Sequence, residues 1–251
     1  MSETASSADR AMRALADAAD TSRRRSAADF HDPAVPVAAT VVVVRDGPGQ
    51  AEVLMIERPD RGSFAGAWVF PGGKLEPGDG DPGDEPAAAR AAARRETREE
   101  TGLQLDAAAL VPLSCWDPPP GLALRIRTWF FLAEDPGEAL LLAPDEAVAA
   151  EWVRPADMLA RHARGEVTLY PPTWVTLHDL SGCPDARGAI GAARVTGLRR
   201  FETVARRGES GPLLLWEGDA AWGDDDGQDR DAASRHRLDL ASLPWVYTRT
   251  G

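Results

Sequence analysis

The chain has 251 residues, of which 43% are hydrophobic, and a formal net charge of −12 at pH 7. It can therefore form one large domain with an apolar core. Its pI near 4.8 argues against the basic surface that sequence-independent nucleic-acid binding needs. No apolar run approaches the roughly 20 residues of a membrane span, and the N-terminus lacks a signal-peptide core. We expect neither nucleic acid nor membrane as a partner, and we predict a cytoplasmic location, which the isolated Cys115 and Cys183 suit.

The first part of the chain predicts an arm followed by strands. Residues 1–34 are polar and weakly periodic, and indicate a mobile arm with one short helix over "DRAMRALADAA" (9–19). Apolar and β-branched runs then predict three strands, the first two forming a hairpin: 37–46, 52–58 and 67–70. The Gly/Pro/Asp-rich stretch from Pro71 to Asp84 has the composition of a loop.

A helix is predicted over 85–101. Asp84 is a suitable N-cap, Pro86 lies in the first turn and Gly102 is a suitable C-cap. Further strands are predicted at about 109–116, 124–133 and 150–154, and proline-opened helices near 155–163 and 171–180. "LLLWE" (213–217) and "LPWVYTR" (243–249) predict two C-terminal strands around an acidic, Gly-rich loop.

The stretch "RRETREETG" (94–102) breaks local helix rules. Glu99 and Glu100 lie in the last turn before Gly102, where the helix dipole disfavours each carboxylate by roughly 0.3–1 kcal/mol. With Glu96 they share one helix face, at i, i+3 and i+4. In isolation the pattern is typical of a solvated face. Oxygen ligands of this kind also bind hard divalent cations, and a cation would convert the repulsion into attraction.

A glycine-rich segment upstream favours the metal-site interpretation. "FPGGKLEPGD" (70–79) leaves a predicted strand, and its glycines permit close approach of the backbone to a ligand. A strand, a Gly-Gly loop and a helix that ends in carboxylates together predict a phosphate and metal site.

At this point the sequence resembles the Nudix hydrolases. "GAWVFPGGKLEPGD" followed by "RRETREETGL" is similar to the signature of that family, and the resemblance extends over about 35–180, including the glutamate-before-tryptophan tail in "DEAVAAEWV". The residues that match the signature are Gly73, Arg95, Glu96, Glu99, Glu100, Gly102 and Leu103.

The sequence departs from the signature in three ways. Asp79 stands where the family has Glu, with Glu85 as a rival for that role. Fifteen residues (80–94) separate Asp79 from Arg95, where the signature usually has seven. The eight-residue excess, "GDPGDEPA" or nearby, has loop composition. Thr97 replaces an apolar residue. The long loop is weakly similar to the branch that contains coenzyme A diphosphatases.

The resemblance implies a fold and a division of the chain. The fold expected is a Nudix-type α/β/α sandwich around a mixed sheet, with a short β-rich C-terminal extension. The expected units are the arm (1–34), the hydrolase domain (35–182) and the extension (183–251), which we expect to pack on the domain or across a homodimer interface.

The resemblance also implies an activity, the hydrolysis of a diphosphate linkage in a nucleoside diphosphate linked to another moiety. Mg²⁺, with Mn²⁺ as an alternative, would be the cofactor, and a small-molecule diphosphate would be the substrate. The three glutamates would share metal ligation and proton abstraction, while Arg95 would orient them. Gly72 and Gly73 would carry the loop that places the substrate.

Three further residues have alternative interpretations. Glu146 is a candidate ligand or base, or else a solvated loop acid; Glu151 is expected to be structural. Trp68 could stack on a base, although the alternation in "AWVF" favours a place in the core.

The alternative activity within the enzyme class is a coenzyme A or acyl-coenzyme A diphosphatase. The alternative outside that class is a Nudix-derived transcriptional regulator whose C-terminal residues bind DNA, which their acidic character disfavours.

Overall fold

A computed structural model of the chain describes residues 13, 16–17, 19–20, 26, 29, 32–61, 64–81, 83–122, 125–222 and 233–250. Most of the predicted arm and of its short helix lies outside these ranges. Within the arm the described residues 13, 16–17 and 19–20 are helical. Ala19 is buried in the core and Asp20 forms an ion pair with Arg207, so this part of the arm packs on the C-terminal sheet.

The helices of the described residues begin and end where local signals dictate. They are α1 (Glu85–Thr101), α2 (Pro155–Ala163), α3 (Pro171–Leu180) and α4 (Ala186–Thr196), with 3₁₀ turns at Pro77–Asp79 and Ala107–Ala109. In α1 the Asp84 side chain caps the Ala87 N–H at 3.2 Å, and Gly102 ends the helix at φ 78°, a left-handed conformation that suits glycine. The first three helices match the predicted bounds; α4 was not predicted.

Strands account for most of the remaining framework. In chain order they are β1 (Val37–Asp46), β2 (Ala51–Glu57), β3 (Trp68–Val69), β4 (Gly72–Lys74), β5 (Val111–Asp117), β6 (Arg127–Glu134), β7 (Ala149–Val153), β8 (Arg199–Glu202), β9 (Val204–Arg207), β10 (Pro212–Leu215), β11 (His236–Asp239) and β12 (Val246–Arg249). The loop prediction for 71–84 was wrong at β4, because Gly72, Gly73 and Lys74 pair with β1.

The large sheet is mixed, as expected. Its strand order is β3-β2-β1-β6-β5-β8, with β4 also paired to β1 and β7 to β2. β1 and β2 form the predicted antiparallel hairpin, whereas β1 pairs with β6 in parallel. The parallel pair formed by β5 and β8 brings the C-terminal residues into this sheet. A second sheet, in the order β12-β11-β10-β9, is antiparallel throughout.

Apolar side chains cover both faces of the large sheet. One cluster lies between the sheet and the alanine-rich face of α1, and includes Ala89, Ala93 and Phe131. The other cluster joins the opposite face to α2, α3, α4 and the second sheet. Helices on both faces make the α/β/α sandwich, with additional C-terminal strands. The described helices include none that is long and apolar enough to cross a bilayer.

The C-terminal residues pack against the rest of the chain. Trp216 is fully buried and Trp245 is 8% exposed, and both belong to the same apolar cluster as Trp116. The Trp116 and Phe201 rings stack at 3.7 Å. The exact division at residues 34 and 182 stays a prediction.

Candidate active site

Three glutamates project from the end of α1 at different depths. Ala89, Ala93 and Thr97 form the buried stripe of the helix, and Glu100 continues it, so its side chain is 0% exposed. Thr97, which replaces an apolar residue of the family signature, is also buried and donates its hydroxyl to the Ala93 carbonyl at 2.7 Å. The Glu96 side chain is 13% exposed and that of Glu99 is 40% exposed.

The buried Glu100 carboxylate has two fixed donors. Gly72 donates its N–H to Oε2 at 2.7 Å, and Arg58 donates from Nη1 to Oε1 at 2.9 Å. Burial raises the pKa of Glu100 to about 8, because desolvation outweighs the opposing effects of Gly72 and Arg58. Even beside Arg58, the Glu100 carboxyl therefore favours its protonated form at neutral pH, and a further positive charge such as a bound cation would favour the ionised form.

Glu146 reaches the same place from a different part of the chain. Two backbone hydrogen bonds join the loop that carries Glu146 to the end of α1. Ala143 donates its N–H to the Glu100 carbonyl at 3.2 Å, and Leu141 donates its N–H to the Thr101 carbonyl at 2.8 Å. One carboxylate oxygen from each of Glu96, Glu100 and Glu146 lies within 4.8 Å of the others. The structure thus groups Glu146, rather than Glu99, with the two deeper glutamates.

This donor set suits a divalent cation. Three carboxylates this close repel one another, and burial, together with Glu99 and Glu146, raises the pKa of Glu96 against the lowering effect of Arg95. Oxygen donors alone, without sulfur or imidazole, are typical of Mg²⁺ and Mn²⁺ rather than of zinc or copper. The arrangement therefore suits a divalent cation.

Arg95 connects the helix to the upstream segment. Its guanidinium donates to both oxygens of Asp79 at 2.9 Å, to Glu96 at 2.8 Å, to Glu99 at 3.1 Å and to the carbonyl of Lys74 at 3.1 Å. These carboxylates, Asp79 first, raise the pKa of Arg95, and Arg95 in turn lowers the pKa of Asp79. Arg95 therefore orients two of the glutamates.

Of the two rivals for the upstream acid, Asp79 lies at the site and Glu85 does not. Glu85 accepts from Arg127 at 2.9 Å and from the Trp129 indole at 2.8 Å, far along α1 from Glu96. The expectation that the eight extra residues form a loop was wrong in part, because α1 already begins at Glu85. Three of the eight residues, 85–87, therefore belong to the first turn of α1, and the other five precede the helix.

The two glycines of β4 are required by close contacts. A Cβ on Gly72 would overlap the Ala39 carbonyl and lie 2.6 Å from the Thr40 Cα. A Cβ on Gly73 would lie 2.5 Å from both carboxylate oxygens of Glu96. The glycines thus bring strand and carboxylate together, whereas the sequence suggested close approach to a ligand.

Other predicted residues lie outside the cluster. Trp68 is 7% exposed, packs in the core under the Arg161 guanidinium and is not among the residues that line the cavity beside the glutamates, which favours the core alternative for this residue. Glu151 accepts from Arg161 at 2.7 Å on β7. Arg58 was missed, because no local pattern relates it to Glu100, 42 residues away.

A cavity of about 890 Å³ opens beside the cluster. At one end it is lined by Gly72, Gly73 and Glu96, together with the cationic Arg58 and Lys74. This volume lies in the range that holds small organic ligands. The site therefore combines a carboxylate cluster, two cationic side chains and room for a substrate.

Comparison with known proteins identifies the class. The NUDIX domain model matches residues 35–173. A NUDIX hydrolase structure from Alicyclobacillus acidocaldarius is 29% identical, covers 62% of this chain and 96% of its own, and has a TM-score of 0.55. The chain belongs to the Nudix family and is an enzyme of the pyrophosphohydrolase type.

Two other solved structures are similar to this chain. A MutT NUDIX hydrolase from Burkholderia pseudomallei is 25% identical over 57% of this chain and 95% of its own, with a TM-score of 0.44. The NUDIX domain of NrtR from Shewanella oneidensis, solved with ADP ribose, is 17% identical over 61% and 96%, with a TM-score of 0.46. No curated protein matches the chain.

Proposed function

We propose that this enzyme hydrolyses the diphosphate linkage of a nucleoside diphosphate joined to another moiety, and that it depends on Mg²⁺, or on Mn²⁺ in its place. The observation that supports this most directly is the carboxylate cluster of Glu96, Glu100 and Glu146, with oxygens within 4.8 Å of one another at the edge of the cavity. Three carboxylates this close repel one another unless a cation lies between them or one of them is protonated.

The positions of the four glutamates suggest a role for each of them. Glu96, Glu100 and Glu146 would hold the ion, and Glu99, which Arg95 holds at the edge of the cluster, stays a predicted ligand or base. When bound, Mg²⁺ would neutralise charge on the phosphate oxygens and lower the pKa of an attacking water.

Two groups keep the Glu100 carboxylate in place for this chemistry. Gly72 N–H and the Arg58 guanidinium fix both oxygens of Glu100. Arg58 and Lys74 line the same end of the cavity, where a diphosphate would meet positive charge. The cationic side chains thus attract the anionic substrate while the carboxylates attract the cation.

The test compares the glutamate variants with a matched control. Glu96→Gln, Glu100→Gln and Glu146→Gln should abolish most of the rise in melting temperature that millimolar Mg²⁺ gives, because that rise follows RT ln(1 + [L]/Kd). Turnover should fall by at least about a hundredfold. Glu151→Gln changes a carboxylate paired with Arg161 on β7, and should leave both quantities unchanged.

The substrate screen should cover nucleotide sugars, dinucleotides, NADH and coenzyme A, with phosphate release after phosphatase treatment as the readout. Preferred turnover of coenzyme A would favour the alternative activity, a coenzyme A diphosphatase. Wild-type Mg²⁺ response and turnover in all three variants would disprove the metal site.

A further inference from the structure

The cavity beside the glutamates is built from two parts of the chain. Its charged end lies in the segment that the NUDIX model matches, at Gly73 and Glu96. Its far end is closed by Thr203, Leu214 and Trp216, all beyond residue 173. The C-terminal strands are therefore part of the substrate cavity as well as of the core.

Pairing between strands holds this far wall in place. β8 lies parallel to β5, and beyond it Thr203 donates its N–H to the Asp117 carbonyl at 3.1 Å. The Trp216 indole then donates to the Thr203 hydroxyl at 3.0 Å, and its ring meets the Trp116 ring edge-on at 5.7 Å. Such buried, bonded aromatic groups form a rigid wall.

The far wall offers packing rather than hydrogen bonds. Its apolar side chains, Leu214 and Trp216, adjoin two aromatic side chains that also line the cavity, Phe130 and Trp116. Two polar groups of this wall are already engaged within the protein, since the Asp117 carboxylate accepts from Arg127 at 2.7 Å and the Thr203 hydroxyl accepts from Trp216. This wall therefore offers a ligand group mainly apolar and aromatic contacts.

We propose that the far wall, with Thr203 and Leu214 at its surface and the fully buried Trp216 behind them, holds the uncharged, planar base of the substrate and selects it by size rather than by its hydrogen-bonding pattern. This inference rests on the proposed function for the diphosphate at the opposite end. It makes the C-terminal extension a specificity element of the enzyme.

Size selection and hydrogen-bond selection differ in magnitude. A wall that reads hydrogen bonds rejects a base with the wrong donors by roughly 10⁴-fold or more, whereas a change of size in an apolar pocket alters kcat/KM by about 10–200-fold. Adenine and hypoxanthine have almost the same size and different donors. Their nucleoside diphosphate sugars should therefore have kcat/KM values within about threefold of each other.

The chain offers a matched pair of leucines for the test. Leu214 and Leu238 are register partners on β10 and β11, and are 3% and 0% exposed. Leu214 lines the cavity, whereas Leu238 lies outside its lining. Leu214→Ala and Leu238→Ala should destabilise the fold to a similar extent, and only the former should enlarge the cavity.

The experiment measures kcat/KM for adenine, hypoxanthine and uracil nucleoside diphosphate sugars that share one sugar. Leu214→Ala should change the purine-to-pyrimidine ratio by about tenfold or more, whereas Leu238→Ala should keep it within about twofold. If Leu214→Ala fails to fold, Leu214→Val removes one methylene and should change the ratio in the same direction.

Two results would overturn the inference. One is an unchanged ratio in the folded Leu214 variants, and the other is a discrimination between adenine and hypoxanthine above about a hundredfold. Binding of AMP, IMP and UMP, measured by calorimetry, tests the wall without hydrolysis. An enzyme that hydrolyses none of the substrates of the wider screen, yet shows the expected change in nucleotide affinities, would contradict the proposed function and leave the far wall supported.

Discussion

Arg95 and Asp79 form a two-pronged ion pair, in which Nε donates to Oδ1 and Nη2 to Oδ2, both at 2.9 Å. The same guanidinium contacts Glu96 and Glu99. Asp79 lies in the 3₁₀ turn before the helix, where its Oδ2 also accepts the Glu76 N–H at 2.8 Å. The upstream turn therefore sets the position of the arginine that orients the glutamates.

The first prediction concerns this pair. Asp79→Asn should lower kcat by about tenfold to a hundredfold, because a misplaced guanidinium no longer orients Glu96. Glu85→Gln weakens contacts to Arg127 and Trp129 far from the cluster, and should cost about 1–3 kcal/mol of unfolding free energy with kcat retained. Urea unfolding beside steady-state kinetics checks both variants. A larger loss of kcat in the Glu85 variant would reverse the assignment.

The second prediction separates the two glycines of β4. In Gly73→Ala the new methyl group meets the Glu96 carboxylate, which can move aside, so Mg²⁺ affinity should fall by about tenfold with little loss of stability. In Gly72→Ala it meets the backbone of β1, which cannot, so stability should fall by about 2 kcal/mol or more. Calorimetry of Mg²⁺ binding and thermal unfolding distinguish the two. Equal behaviour of the variants would contradict the contacts.

The third prediction follows from the pKa of Glu100, which burial raises to about 8. A carboxyl whose folded pKa is raised contributes stability that is full below its unfolded pKa, near 4.5, and is lost as the pH rises through about 8. The metal-free protein should therefore lose stability over this range, and Glu100→Gln should lose less.

The raised pKa of Glu100 should also couple the binding of Mg²⁺ to the release of a proton. Binding of Mg²⁺ at pH 7 should release about one proton from wild type, and much less from Glu100→Gln. Calorimetry in buffers with different ionisation enthalpies measures the number. Release of less than about a third of a proton by wild type would contradict the raised pKa.

The helices could be predicted because their ends are encoded locally. Asp84 and Gly102 bound α1, and prolines open α2 and α3. The missed helix α4 has comparable signals in Asp185, which caps it, and in Gly197, which ends it. β4 could not be predicted, because its glycines have loop propensity and its pairing with β1 is a tertiary contact.

The site was only partly encoded in local pattern. Helical spacing places Glu96, Glu99 and Glu100 on one face, but depth depends on the sheet beneath, which buries Glu100 and leaves Glu99 exposed. Arg58 and Glu146 join the cluster through the fold, and no spacing in the sequence relates them to α1.

The fourth prediction concerns His162, which is 4% exposed and packs its ring 4.5 Å from that of Trp245. Its Nδ1 has no hydrogen-bond partner among the described residues, and burial lowers the pKa to about 4. A histidine with a lowered folded pKa contributes stability that is full above its unfolded pKa, near 6.5, and is lost as the pH falls toward 4.

Acidification from pH 7 to pH 5 should therefore cost wild type about 2 kcal/mol more than His162→Phe. His178→Gln, at a more exposed histidine of α3, is the control and should follow wild type. Urea unfolding at both pH values measures the difference. Parallel pH dependence of wild type and His162→Phe would show that the ring accepts its proton without cost.

The last prediction concerns the extension as a whole. A chain ending at residue 183 loses β8 and thereby exposes the edge of β5, and it uncovers the Trp116 ring that stacks on Phe201 at 3.7 Å. Unpaired edges and large apolar patches favour association. The truncated chain should aggregate or melt at least about 10 °C lower, and residues 184–251 added as a separate chain should restore part of the loss. Analytical ultracentrifugation of the full chain, run beside the truncated chain, tests the predicted homodimer. If the truncated chain is a soluble monomer with the melting temperature of the full chain, the extension does not stabilise the hydrolase domain.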